Sequence, residues 1–338
     1  MPMHLSQPGR SLFLVLLSLC FVIDTERTHA SDSSTNKKCL YVSSYHEGDE
    51  WSDGIEASIR ASLDGHCKFR KFDMNTKRVT SLEAIFKVTN QIIKSIEEWQ
   101  PDVVITSDDN AAKHLIVPHY RDDKIPFVFS GVNWTVDEYG FPYKNVTGIV
   151  EVAPVKIMFR EATTISNGGR KAVFLGPDVL SEKKNFHRIK LVAEEFQIQI
   201  EPLYYSSFSQ WKKAIKKINE YDFAIMGSNA GIDDWDSEVA RQTALEFISK
   251  PTFTTAKWMM PYTTFGFTNL PAEQGEWAAD VAIRILNGTN PQEIPLASNR
   301  KWEFWVNEEI FDRLETPPGR NLLRKAKRVQ IEVATREE

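Results

Sequence analysis

Residues 145–154, NVTGIVEVAP, divide the 338-residue chain. The Val/Ile-rich run leaves a loop rich in Gly, Pro and Tyr and reads as a β-strand. Its Pro154 suits the opening of a helix, where a missing N–H costs nothing. On either side the chain alternates strand and helix patterns, so the run lies between two α/β units of similar build. It is read as a crossing between two lobes.

Upstream, strands are expected over 39–43 and 67–73, and the compact apolar runs over 103–106 and 127–130 predict strands buried on both faces of a parallel sheet. Trp51, Ile55, Ile59 and Leu63 form one helical stripe, which places Trp51 in the core. Ile85, Val88 and Ile92 form another, opened by a Thr80 and Glu83 capping box. Downstream, strands are expected over 172–175, 198–203, 223–226 and 252–255, with helices over 182–196, 210–220 and 237–248 between them. A last helix over 272–287 carries Trp277, Val281 and Ile285 on one face and stops at Gly288 and Pro291. The fold class is α/β: two doubly wound parallel-sheet lobes.

Residues 1–30 combine Arg10, an apolar run over 11–23 and small residues at Thr28 and Ala30. This pattern predicts a signal peptide cleaved near Ala30, with an uncleaved anchor as the alternative. Leu19 beside Cys20 argues against a lipoprotein site. No later stretch is long and apolar enough to span a bilayer, so a periplasmic or secreted protein is expected. The formal net charge of -5 gives no reason to invoke nucleic acid. Cleavage would leave Cys39 and Cys67, each at the start of a strand with one helix between them. In a right-handed βαβ unit both starts lie at one end of the sheet, so a disulfide is expected, remote from the strand C-termini.

Two motifs carry a family resemblance. The first is Asn145-Val146-Thr147-Gly148 followed by a helix and Lys171-Ala172-Val173-Phe174-Leu175. The second is Gly275, the run from Ala278 to Gly288, then Pro291 and Ile294-Pro295. In this order they resemble the ABC-transporter substrate-binding proteins of the tryptophan/tyrosine-binding type, over residues 38 to 314. The resemblance implies the type I periplasmic-binding-protein fold, with a three-stranded hinge crossed near 145–154, 261–269 and 302–306. It also divides the chain into lobe 1 (38–148 plus 266–300) and lobe 2 (149–265 plus 301–315); beyond them the pattern fades through Pro317-Pro318-Gly319 into a basic, helix-like tail (316–338) expected to be a solvated terminal helix. It further implies a monomer that captures an amino-acid-like ligand, aromatic or otherwise apolar, and passes it to an inner-membrane ABC permease. Ser130-Gly131-Val132-Asn133-Trp134 replaces the Asp-Pro pair that many relatives carry after the fourth strand. That departure is closer to versions associated with sensor kinases, so docking on a membrane receptor is the alternative.

In open α/β sheets ligands bind beyond the strand C-termini, and the loops there hold the candidates. Ser44, Ser107 and Asn110 are candidates for a ligand carboxylate at a helix start. Asp108, Asp109, Asp178 and Glu151 are candidates for a ligand ammonium. Tyr45, Trp134 and Trp258 offer ring faces, and Ser130, Asn133, Ser228 and Asn229 complete the polar set. Ser107, Asp108 and Asp109 also read as helix caps, and Trp258 with Met259 and Met260 as an apolar seam. No nucleophile elbow, phosphate loop, metal-ligand spacing or cofactor motif is present in the sequence, so no enzyme, metal or cofactor is expected.

Overall fold

The computed structural model describes residues 36–329 except Thr80 and Ala230. The expected signal peptide, the end of the tail and the Thr80 half of the capping box lie outside the described residues. The strands in chain order are β1 (Lys38–Ser43), β2 (Lys68–Asp73), β3 (Val103–Ser107), β4 (Phe127–Asn133), β5 (Val146–Glu151), β6 (Lys171–Pro177) and β7 (Gln199–Tyr205). There follow β8 (Phe223–Met226), β9 (Thr252–Thr254), β10 (Phe265–Asn269), β11 (Ala297–Ser298), β12 (Trp302–Val306) and β13 (Lys327–Arg328). The helices are α1 (Glu50–Leu63), α2 (Leu82–Trp99) and α3 (Asp108–Ala111), which passes through a π turn into α4 (Val117–His119). Beyond them lie α5 (Val155–Ile165), α6 (Leu180–Glu195), α7 (Phe208–Ala214), α8 (Ser237–Phe247), α9 (Pro271–Leu286) and α10 (Glu308–Phe311).

Two sheets result, in the orders β11-β5-β4-β3-β1-β2 and β13-β12-β10-β9-β8-β6-β7. Every pairing in the first is parallel; the second adds one antiparallel pair, β10 with β12. All five residues of β3 and all four of β8 are buried, as helices on both faces of a parallel sheet require. Strand order reverses at β1/β3 in one sheet and at β6/β8 in the other. At such switch points the following loops diverge and leave a crevice.

The chain passes between the sheets after β5, between β10 and α9, and between β11 and β12. Asn299 joins these segments: its Oδ1 accepts from the Val152 N–H (2.7 Å), and its Nδ2 donates to Asn269 Oδ1 (2.8 Å) and the Val152 carbonyl (3.2 Å). β10 pairs wholly within the second sheet, so residues 266–269 stand there and not with the first lobe as expected.

Three other expectations change. α2 is capped by Ser81, whose side chain accepts from the Ala84 N–H. In α9 the buried face is Gly275, Ala278, Ala279 and Ala282 with Val281, and Trp277 and Ile285 sit at its margin. A Cβ at Gly275 would lie 2.4 Å from the Ile55 carbonyl oxygen, so the small residues serve a close approach of α9 to α1. The segment after residue 316 is not wholly solvated: Leu323 is buried in the second lobe's core and β13 pairs with β12, because an apolar residue and an open strand edge both gain from that return.

Cys39 and Cys67 form a disulfide with Cα atoms 5.9 Å apart. Both lie at the N-terminal ends of their strands, where the parallel β1–β2 pairing begins with Lys38 beside Lys68. Among the described residues no helix is long and apolar enough to cross a membrane.

Candidate ligand-binding site

The loops beyond the two switch points face one another across a cleft of about 530 Å³. Tyr45 enters from the turn after β1, Asp108 from the junction of β3 and α3, and Asn133 with Trp134 from the end of β4. Glu151 stands at the end of β5 and Trp51 in the first turn of α1. The second lobe contributes Glu182 and Asn185 from α6, Gly227 and Ser228 after β8, and Trp258 after β9.

Asp108 is the centre of the first wall. It is 2% exposed, its backbone turns through φ 64°, and Oδ1 accepts from Trp51 Nε1 (3.1 Å). Among the described residues Oδ2 has no hydrogen-bond partner. Burial, reinforced by the negative charges of Glu151 and Asp109, pushes its carboxyl well above the usual carboxylate range. Glu151 accepts from Asn269 Nδ2 (3.0 Å), and burial raises its pKa to about 7. The Tyr45 hydroxyl is likewise pushed up, by burial first and then by the surrounding carboxylates.

Asp109, although adjacent in sequence, turns away from the cleft. Its carboxylate accepts from Asn133 Nδ2 (2.6 Å) and from the Tyr139 hydroxyl (2.7 Å), and so holds the loop that presents Asn133 and Trp134. That loop leaves β4 through a break in its register with β5 between Phe129 and Val132. Such an irregularity re-aims the side chains that follow it. Trp134 then adopts φ 64°.

The remaining expected residues divide clearly. Ser44, Ser107, Asn110 and Ser130 do not line the cleft. Ser44 Oγ donates to the Ser107 carbonyl and accepts from the Ala111 N–H, Ser107 Oγ pairs with Tyr41, Asn110 Nδ2 donates to Thr76, and Ser130 Oγ donates to the Thr106 carbonyl. Their hydrogen-bonding capacity is used to knit the strand ends together. Asp178 is exposed and paired with Lys183, and Asn229 lies outside the cleft lining. Trp258 lines the rim and is 60% exposed, while Met259 and Met260 beside it are buried, so the apolar seam is theirs.

Trp51, Glu182, Asn185 and Asn269 were not among the expected site residues. Trp51 was hidden in an apolar stripe and Glu182 in the ordinary acidity of a helix start. Glu182 is 4% exposed; Oε2 accepts from the Ser228 N–H (3.2 Å), and Oε1 from Ser228 Oγ (3.2 Å) and Asn185 Nδ2 (3.0 Å). A Cβ at Gly227 would sit 2.3 Å from Oε2, so only glycine leaves room for that carboxylate. Among the described residues no group of His, Cys, Asp and Glu is arranged to hold a metal ion.

A sequence model described as ABC transporter substrate binding protein matches residues 49–330. The chain belongs to that family. As a substrate-binding protein of the ABC-transporter type it has a small-molecule ligand and a transporter partner, and its relatives typically work outside the cytoplasm. No curated protein sequence matches it. Among solved structures it is similar to an open, ligand-free substrate binding protein with adhesive properties from Clostridium difficile. That likeness has a TM-score of 0.71 at 12% identity, covering 88% of this chain and 100% of the other. An ABC domain in complex with L-Trp from Streptococcus pneumonia matches with a TM-score of 0.61 at 15% identity, over 87% of this chain and 100% of that one. A periplasmic ribose ABC transporter protein from Conexibacter woesei matches at 0.54 and 16% identity, over 87% and 99%. At these identities the likeness establishes the type I periplasmic-binding-protein fold of this substrate-binding protein.

Proposed function

We propose that this substrate-binding protein works outside the cytoplasm as a monomer, captures in its interlobe cleft a small ligand bearing a positively charged nitrogen on an apolar body, and delivers it to an ABC permease. The observation that carries the reading is Asp108, a buried carboxyl group with one oxygen unpartnered among the described residues, set in a cleft also lined by the rings of Tyr45, Trp51 and Trp134. An isolated buried carboxylate is costly, and a ligand cation would satisfy it. Tyr45, Trp51, Asp108, Asn133, Trp134, Glu151, Ser228 and Trp258 are the proposed contacts, and Asp109 positions Asn133. Aromatic amino acids are the first compounds to try, since the sequence resembles tryptophan/tyrosine binders and a structural neighbour holds L-Trp.

Ligand contacts completed only when the lobes close would shift the population toward the closed form, which is the form a partner reads. Native mass spectrometry of the purified protein, followed by thermal-shift screening of amines, amino acids and related metabolites, tests the reading. A copurified or stabilising nitrogen cation supports it; stabilisation by neutral sugars alone would refute it. Ser130-Gly131-Val132-Asn133-Trp134 favours a second reading, in which the closed form docks on a membrane sensor. Crosslinking the liganded protein in its own membranes would separate the two, with recovery of a permease or of a receptor.

A further inference from the structure

The charge balance of the cleft narrows what can occupy it. Asp108, Glu151 and Glu182 line it from both lobes, and among the described residues none of the three has an ion-pair partner. The cations that line the cleft are already engaged: Lys77 with Asp49, Lys257 with Glu50, and Lys327 with Glu303. Arg188 lies over the Trp134 ring, 5.5 Å from its centroid, and is not part of the cleft lining.

Helix starts do not restore a site for an anion. Backbone N–H groups at a helix N-terminus ordinarily attract a carboxylate. Here α3 opens with Asp108 and Asp109, α6 has Glu182 in its first turn, and α1 has Asp49 as its cap followed by Glu50. α9 opens with Pro271, which has no N–H, and carries Glu273 in its first turn. Each of these four helix starts carries an acidic side chain that competes with, or repels, a ligand carboxylate; α5, entered from the cleft-lining Ala153, opens without one.

Resting on the reading of this cleft as the ligand site, we propose that it selects an organic cation, an amine or quaternary ammonium on an apolar body, over the corresponding amino acid. The nitrogen would lie beside Asp108 and Glu151, and rings such as Trp51, Trp134 and Tyr45 would take the body and share the charge. An α-carboxylate would bring a negative charge into a cleft lined by three acidic side chains, with no unpaired cation among the described residues of its lining to meet it.

The test uses matched triplets of amine, α-amino acid and carboxylic acid on indole, phenyl and isobutyl bodies, with benzyltrimethylammonium as the permanent cation. These are titrated calorimetrically into the purified protein at pH 8. The amines are expected to bind about tenfold or more tightly than their amino acids, the difference one unfavourable charge contact makes, and the acids not at all. Asp108→Asn and Glu151→Gln should each weaken amine binding by about tenfold with melting curves still cooperative. Amino acids binding as tightly as amines would overturn the proposal, and the more so if Arg188→Ala weakened them, while leaving the binding reading intact. Silence from every compound of all three classes, in titration and in thermal shift, would overturn both.

Discussion

Glu151 couples the ligand site to pH. Its folded-state pKa of about 7 stands above the ordinary 4.5, so between those values the folded protein keeps a proton that the unfolded chain has released. The empty protein should therefore lose stability as pH rises through that window, by up to about 3 kcal/mol, and level off above it. Urea unfolding at pH 5 and pH 8 measures the effect, and Glu151→Gln should remove this residue's share. Asp108, shifted in the same direction, adds to the slope. Sequence made both carboxylates legible as loop acids beyond strand ends. It could not separate Asp108 from Asp109, because the positive φ at Asp108 decides which of the two faces the cleft. Nor could it free Trp51 from its stripe, since a residue at a helix start can pack its ring on the core and still aim its N–H outward.

Among the elements, the contact between the end of β8 and the first turn of α6 leaves no space for a side chain at Gly227. Gly227→Ala would put a methyl 2.3 Å from Glu182 Oε2 and 2.8 Å from the Phe174 ring, and the carboxylate could give way only by breaking its hydrogen bonds with Ser228. A loss of about 1 to 3 kcal/mol is expected by denaturant unfolding, together with weakened ligand binding. Unchanged stability would show that Glu182 has another place to go. The elements were legible where periodicity was strong: the strands β1, β3 and β8 and the helices α1 and α2 fall where their apolar patterns put them. The buried face of α9 was not, since alanine and glycine announce close packing only once the neighbouring helix is known.

At the scale of the molecule, the alternation of strand and helix about residues 145–154 made the two-lobed fold readable. The return of β13 was not, because two residues of a basic segment carry no strand signal of their own. The Cys39–Cys67 bridge closes a separation of 28 residues. Replacing both cysteines by alanine should cost about 3 to 4 kcal/mol in unfolding free energy. Ligand affinity should not change, because the bridge sits at the opposite end of the strands from the cleft; a parallel fall in affinity would show that the two ends communicate.

The bonds around Asn299 have a mechanical consequence. Glu151 in the cleft wall is held by Asn269, Asn269 by Asn299, and Asn299 by Val152, so a charged group of the jaw is tied within three side chains to every strand of the fulcrum. A bound molecule that pulls on Glu151 therefore applies its force at the pivot, where a small displacement swings the far rims the most.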